Sequence, residues 1–264
     1  MNAIQQAFDR AKSESRAALI AYLPAGFPDA DTGLELALAV AEGGADLIEV
    51  GWPYSDPLMD GPVIQAAVEQ ALAAGTKFHD VLTTVSAIAQ TKATPLVMTY
   101  WNPVERVGVR EFADRLSSAG GAGVITPDLT PEEAGEWYAA STAAGLGRVF
   151  LVAPSSSDAR IEKVVAATTG FVYAASLMGV TGTRTQLSGS AAGLVERTRQ
   201  FTELPIAVGL GVSTPAQAAE VAKFADGVIV GSAFVKAAQE AGDRKRAVSA
   251  VRELAERIVE GLNK

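Results

Sequence analysis

The stretch AEGGADLIEVG, residues 41–51, joins the end of one structural element to the start of the next. The Ala-rich segment before it has apolar residues at helical spacing, and this pattern stops at two glycines that suit the left-handed position after a helix end. An apolar run follows at once. The stretch therefore predicts a helix that leads directly into a strand. The same transition occurs in SSAGGAGVIT (117–126), AAGLGRVFLV (143–152) and ATTGFVYAA (167–175).

Eight short apolar runs of this kind recur along the chain and alternate with helical segments. Most are continuously apolar, which is typical of parallel strands covered on both faces. Eight strand–helix units within 264 residues favour one closed (β/α)₈ barrel, a TIM barrel spanning residues 1–264, with an amphipathic helix added at the N-terminus. The runs are ALIAYL (18–23), DLIEVG (46–51), PLVMTY (95–100), AGVITP (122–127), RVFLVA (148–153), GFVYAA (170–175), PIAVGL (205–210) and DGVIVG (226–231).

Composition excludes several kinds of function. The net charge is −8 and no cluster of Lys and Arg occurs, so the chain lacks the charge pattern of a nucleic-acid-binding protein. It has no cysteine and one histidine, His79, which excludes disulfides, thiolate metal sites and a multi-histidine metal site, so we expect no metal. No apolar run reaches the roughly 18 residues of a membrane span. If the protein is an enzyme, its chemistry depends on carboxylates.

Two long connections follow predicted strands, at residues 52–62 and at GVTGTRTQLSGS, residues 179–190. Each leaves the carboxyl end of its strand, where barrels of this type carry their active sites. Helix starts are predicted near Asp29 or Asp31, Thr130, Ser157 and Ser213–Thr214, from side chains that cap the first turn.

The ends of the seventh and eighth strands, GLGVSTP (209–215) and VGSAF (230–234), predict a phosphate site. In each, glycine exposes backbone N–H groups just before a helix begins, and such groups bind anions. The predicted ligands are Gly211, Gly231 and Ser232, with Gly182 closing over them from the sixth loop. The alternative for each motif alone is ordinary turn chemistry.

Glu49 is a charged residue inside the apolar run DLIEVG. Barrel side chains alternate between lumen and helices, and an inward carboxyl near the strand's carboxyl end would face a substrate pocket. Partial desolvation there would raise its pKa. The alternative is a structural acid paired with a buried base. Asp60 lies on the following loop, where turn chemistry before Pro62 is an equally simple explanation.

The stretch EVGWPYSDPLMDGPVIQ (49–65) closely resembles a signature of the tryptophan synthase α subunit family, a family of phosphate-binding (β/α)₈ barrels. The resemblance extends over essentially the whole chain. It implies a lyase that cleaves indole-3-glycerol phosphate to indole and glyceraldehyde 3-phosphate by a retro-aldol reaction, with Glu49 and Asp60 as the two catalytic carboxylates. The other motifs that carry it are AYLPAGFP (21–28), TYWNP (99–103), PDLTPEE (127–133), YAASLMGVTG (173–182), GLGVSTP (209–215) and VGSAFVK (230–236).

Further expectations follow from this resemblance. Tyr100 and Tyr173 could orient Glu49, and Thr181 would contact the catalytic loop when the loops close. The family's partner is a β subunit that carries pyridoxal phosphate, which implies a cytoplasmic α₂β₂ assembly, a partner interface at Asp56, Pro57 and Asn102, and no cofactor in this chain. The positions that match the family's apolar substrate slot are Tyr22, Ile64, Met98, Tyr100, Ile125, Leu151, Tyr173 and Leu210.

Two local departures from the family pattern affect loop docking. Trp52 stands where a smaller aliphatic residue is usual, and Leu177-Met178 replaces the more frequent Ser-Arg. Two other functions share the predicted fold and phosphate site: a sugar-phosphate isomerase or epimerase, and a non-catalytic regulatory barrel. A barrel fold alone does not separate these functions.

Overall fold

The computed structural model describes residues 2–175, 184–209 and 211–262, with the backbone alone for residues 184–190. Its described strands form one parallel sheet in the order β5-β4-β3-β2-β1-β9-β8-β7-β6. Only Phe150 separates β5 from β6, so the two halves of one predicted strand close the ring and the predicted barrel is confirmed. The strands are β1 (Ala18–Pro24), β2 (Leu47–Gly51), β3 (Thr94–Met98), β4 (Gly123–Ile125), β5 (Gly147–Val149), β6 (Leu151–Val152), β7 (Val172–Ala175), β8 (Ile206–Gly209) and β9 (Gly227–Val230).

Helices connect successive strands and form the outer layer. Their first turns are capped as predicted at three positions, where Asp29, Ser157 and Thr214 accept backbone N–H groups. The helices are α1 (Ala3–Ser13), α2 (Ala30–Glu42), α3 (Pro62–Ala73), α4 (Phe78–Ile88), α5 (Trp101–Val107), α6 (Val109–Ser118), α7 (Gly135–Ala143), α8 (Asp158–Ala167), α9 (Arg184–Arg199), α10 (Pro215–Ala222), α11 (Ser232–Glu240) and α12 (Arg244–Gly261).

Two predicted boundaries are wrong. The helix expected to start at Thr130 begins at Gly135, because the Thr130 hydroxyl hydrogen-bonds the Glu133 carboxylate at 2.7 Å and closes a turn instead. The long connection predicted for residues 179–190 is shorter, since α9 already begins at Arg184.

Helix α1 closes the amino-terminal end of the barrel, as the amphipathic pattern of Ile4 and Phe8 predicts. Both side chains are buried in the inner core with Ile20, Leu47 and Leu96, which point into the lumen from β1, β2 and β3. The tip of Ile4 fills the space left by three glycines at strand starts. A Cβ at any of them would lie within 3.0 Å of Ile4 Cδ1: Gly123, Gly147 and Gly170.

The outward-facing strand residues pack under the helices in a second, larger apolar layer that includes Leu19, Ile48 and Val97. The lumen is therefore filled from the amino-terminal end and remains open only at the carboxyl ends of the strands. No helix in the described part of the chain is long and apolar enough to cross a membrane.

Candidate active site

A cavity of about 600 Å³ opens at the carboxyl ends of the strands, above the inner core. Its lining comes from strands β1, β2, β3, β6, β7, β8 and β9 and from the loops that follow them. The lining residues are Tyr22, Glu49, Met59, Asp60, Gly61, Pro62, Val63, Ile64, Met98, Leu151, Tyr173, Ala175, Gly209, Gly211, Ile229, Gly231 and Ser232.

Glu49 lies in the lumen on β2, between Tyr22 of β1 and Leu96 of β3 in the parallel ladder. Its side chain is 0% exposed, and neither carboxyl oxygen has a hydrogen-bond partner among the described residues. Burial raises the pKa of Glu49 from its ordinary 4.5 to about 8. The predicted alternative, a structural acid paired with a buried base, has no support in this geometry.

Two tyrosines flank this acid, and each lies across a glycine of the neighbouring strand. A Cβ on Gly51 would come within 2.4 Å of the Tyr22 hydroxyl, and one on Gly209 within 2.7 Å of the Tyr173 hydroxyl. Burial, together with the nearby carboxylates of Glu49 and Asp60, raises the pKa of both phenols well above 10.0. Both side chains are therefore neutral and can donate a hydrogen bond into the cavity.

Asp60 approaches the cavity from the loop between β2 and α3. Burial raises the pKa of Asp60, and a hydrogen bond with the Tyr100 side chain lowers it again in part. The Tyr100 hydroxyl also accepts the backbone N–H groups of Leu58 and Met59, at 3.1 and 2.9 Å. At the end of the loop, Gln65 donates to the Asp60 carbonyl oxygen at 2.7 Å. Tyr100 thus fixes the middle of the loop that carries the second acid.

The opposite end of the cavity is built from backbone. Helix α11 begins at Ser232 directly after Gly231, and no side chain caps its first turn. Gly211 has φ +63°, a conformation that glycine adopts without steric cost. A helix N-terminus next to exposed backbone is a favourable place for an anion.

Most predicted site residues meet at this cavity. Tyr100 does not line it but contacts the loop, and no described hydrogen bond joins Tyr100 or Tyr173 to Glu49, so the predicted orienting bond is absent among the described residues. Ile125 also falls outside the lining, since it is packed in the inner core below. Thr181, Gly182 and Leu210 lie outside the described residues, as do Leu177 and Met178.

Several lining residues were not predicted from the sequence. Ala175, Gly209 and Ile229 each stand two residues from a predicted one, so strand alternation alone could have indicated them. Gly61, Pro62 and Val63 follow Asp60 into the first turn of α3, and Met59 precedes it; in the sequence these resemble an ordinary turn and give no such signal.

Of the residues predicted for a partner interface, Asp56 and Pro57 lie on the loop beside the cavity, and Asn102 lies in the first turn of α5. Asp56 and Asn102 are exposed and Pro57 is half-buried. Next to them Leu58 is 77% exposed and Met59 45%, the two exposed large hydrophobic side chains of the described chain. Within the described residues, no group of three or more His, Asp or Glu side chains could hold a metal ion.

These features define a class: a (β/α)₈ barrel with two carboxyl groups and an uncapped helix N-terminus around one cavity at the carboxyl ends of its strands. Within that class, the chain belongs to the tryptophan synthase alpha chain family, whose sequence model matches residues 8–263. The predicted family and the predicted function, a lyase acting on indole-3-glycerol phosphate as the α subunit, are confirmed at this level. Neither alternative function is favoured.

Individual relatives are similar over nearly their full length. The tryptophan synthase alpha chain of Thermobifida fusca is 56% identical, covering 99% of this chain and 98% of the relative. That of Mycobacteroides abscessus is 53% identical, covering 99% and 97%. A crystal structure of tryptophan synthase from M. tuberculosis superposes with a TM-score of 0.91 at 46% identity, covering 99% of this chain and 98% of that one.

Proposed function

We propose that the cavity holds indole-3-glycerol phosphate with its phosphate at Gly211, Gly231 and Ser232 and its indole ring beside Glu49, and that Glu49 and Asp60 carry out the cleavage. One observation carries this proposal: a carboxyl group without a described partner is buried in the wall of an otherwise largely apolar cavity. Burying such a group costs stability, and it is retained where chemistry needs it.

Cleavage breaks the bond between indole C3 and the glycerol side chain. With a pKa of about 8, Glu49 is protonated at neutral pH and can donate its proton to C3. The resulting carboxylate then accepts the proton of the adjacent side-chain hydroxyl. As that hydroxyl oxygen becomes the aldehyde of glyceraldehyde 3-phosphate, the electron pair of the carbon–carbon bond returns to the ring and releases indole. The net change moves one proton from oxygen to carbon and leaves Glu49 protonated.

Asp60 has a different task. Protonation at C3 places positive charge on the ring nitrogen, and a carboxylate that accepts the ring N–H stabilises this charge. A group on a loop, held through Tyr100, can adjust to the ring after it binds, whereas Glu49 is fixed on a strand. The two acids therefore divide the reaction between a rigid proton donor and an adjustable electrostatic partner.

The remaining lining positions the substrate. Ile64, Met98 and Leu151 offer apolar surface to a flat aromatic ring, and Tyr22 and Tyr173 add ring faces with a polar tip. The uncapped start of α11 offers backbone N–H groups to the phosphate. A tightly held phosphate fixes the distance from the anion site to Glu49, which places the scissile bond at the carboxyl group.

We further propose that the chain works with a β subunit that docks over the loop carrying Asp56 and Pro57 and over the start of α5, which carries Asn102. The exposed side chains of Leu58 and Met59 support this, because a partner would remove them from water. In this α₂β₂ assembly pyridoxal phosphate belongs to the β subunit, and this chain uses carboxylates alone.

The test is indole release from indole-3-glycerol phosphate by the purified chain, with and without a β subunit. We expect slow release alone, faster release with the partner, and loss in Glu49→Gln but not in Glu69→Gln, an exposed acid on α3. A wild-type chain that releases no indole in either condition would overturn the proposal.

A further inference from the structure

Trp52 is the first residue of the loop that carries Asp60. Its backbone N–H donates to the Met98 carbonyl oxygen at 2.9 Å, which extends the β2–β3 ladder by one step. Since side chains alternate along a strand and Glu49 points inward, the indole of Trp52 points outward to the helical layer. The side chain therefore lies on the opposite side of β2 from the cavity.

There it joins an aromatic cluster. Its ring lies 4.5 Å from that of Phe78 on α4 with an interplanar angle of 17°, and 6.0 Å from that of Phe112 on α6 at 13°. Phe78 is itself covered on one face by the guanidinium of Arg115, 4.8 Å from the ring centroid. Contacts at 6.1 Å continue the cluster from Phe112 to Trp137. The aromatic cluster is Trp52, Phe78, Phe112, Trp137 and Trp101.

Few described contacts hold the loop beyond Trp52, and Leu58 and Met59 expose their side chains. Tyr100 holds the middle of the loop, since it accepts two backbone N–H groups and packs against the Tyr54 ring at 5.4 Å. At the end of the loop, the Gln65 side chain of α3 donates to the Asp60 carbonyl oxygen. The described attachments are thus Trp52 at the start of the loop, Tyr100 in its middle and Gln65 at its end.

We propose that Trp52 is a positioning residue: by stacking on Phe78 and Phe112 it fixes the start of the loop and so keeps Asp60 facing the cavity. The proposal rests on the role of Asp60 in the proposed function. Trp52 does not line the cavity, so it acts through the loop. Two nearly parallel ring contacts define both the place and the orientation of the residue, which an aliphatic side chain does not do.

Removing the stack should lower the fraction of molecules with Asp60 in place. The rate constant kcat then falls in proportion to that fraction. KM should change little, because the phosphate end and most of the apolar lining belong to other strands. For Trp52→Val we expect kcat to fall roughly tenfold with KM within about twofold. Trp52→Phe keeps a ring for stacking and should restore most of the loss.

The matched control is Trp137→Phe. Trp137 belongs to the same aromatic cluster and is fully buried, but it contacts Phe112 and Trp101 and does not touch the loop of Asp60. The substitution Trp137→Phe should lower the free energy of unfolding and leave kcat as in wild type. If Trp52→Val fails to fold, Phe78→Leu removes the main stacking contact from the other side and should produce the same fall in kcat.

A measurement without substrate separates this proposal from the proposed function. Hydrogen exchange of the Leu58 and Met59 amides should speed up at least about tenfold in Trp52→Val, and much less in Trp52→Phe and Trp137→Phe. Unchanged exchange, or an equal fall in kcat in Trp137→Phe, would overturn the role of Trp52. If the wild type releases no indole, the proposed function fails, and exchange alone still decides whether Trp52 holds the loop.

Discussion

Tyr22 and Glu49 lie directly opposite one another in the ladder of β1 and β2, and the Tyr22 hydroxyl reaches the space above Gly51, two residues beyond the acid. The phenol therefore covers the strand end at which the carboxyl group sits. Glu49 is fully buried at this point, and burial raises its pKa to about 8.

The activity should depend on the protonated form of Glu49. We expect kcat/KM to fall above about pH 8, where the folded enzyme loses this proton. Glu49→Gln should reduce kcat by about 10² to 10⁴ and remove that limb of the profile from the residual activity. Indole release measured from pH 6 to about pH 9.5 checks both. A wild-type profile that stays flat through this range would contradict the assignment.

Stability should fall as pH rises, because of the same residue. Below about 4.5 Glu49 is protonated in both the folded and the unfolded chain; between about 4.5 and about 8 only the unfolded chain releases the proton. The free energy of unfolding therefore decreases over this range, by on the order of 5 kcal/mol once Glu49 is ionised in both states. Denaturant unfolding of wild type and Glu49→Gln at pH 5 and pH 9 tests this. The advantage of the glutamine variant should grow with pH, and parallel curves would count against it.

Tyr100 should affect kcat, because it holds the loop that carries Asp60. Tyr100→Phe removes the acceptor for two backbone N–H groups, and each of these hydrogen bonds is worth about 1 kcal/mol. We expect kcat to fall about tenfold or more while the fold is retained. The control is Tyr138→Phe, which loses one hydrogen bond to the Pro131 carbonyl oxygen; neither residue lines the cavity, so this variant should keep wild-type kinetics. Equal values of kcat in Tyr100→Phe and Tyr138→Phe would contradict the prediction.

The anion site should be sensitive to one methyl group. In Gly231→Ala the new Cβ would lie 3.3 Å from the Tyr22 ring and 3.6 Å from Ile64, both in the cavity wall. It would crowd the start of α11, so KM should rise several-fold more than kcat falls. Gly135→Ala, where a Cβ meets nothing within 4 Å, is the matched control. Steady-state kinetics of both variants decide the matter; an unchanged KM in Gly231→Ala would place the phosphate elsewhere.

Helix α1, which closes the amino-terminal end of the barrel, should contribute to stability and not to catalysis. Ile4→Ala empties the space between Gly123, Gly147 and Gly170, and burial of this kind is worth about 2 to 5 kcal/mol. Thermal and denaturant unfolding should show this loss of stability. The values of kcat and KM should not change, because Ile4 lies at the opposite end of the barrel from the cavity. Lys12→Ala, on the exposed face of α1, should show neither effect.

The sequence alone determined the layout of the barrel. Continuous apolar runs between glycine-ended helices are typical of parallel strands covered on both faces, and this local pattern is independent of any distant contact. The same reasoning placed Glu49 in the lumen, because alternation along a single strand fixes which side chains face inward. Helix caps such as Asp29 and Thr214 were predictable for the same reason, since they depend on neighbours three residues away.

Tertiary structure decided what surrounds these residues. Glu49 lacks a partner because no basic side chain of the described residues reaches its oxygens across the barrel, and no local pattern reports on this. Tyr100 contacts the loop of Asp60 and does not line the cavity. Trp52 stacks on two helices that are distant in sequence. Both contacts form because closure of the barrel brings together elements that the chain keeps apart. The burial of Glu49, and with it the raised pKa of this residue, arises from that closure.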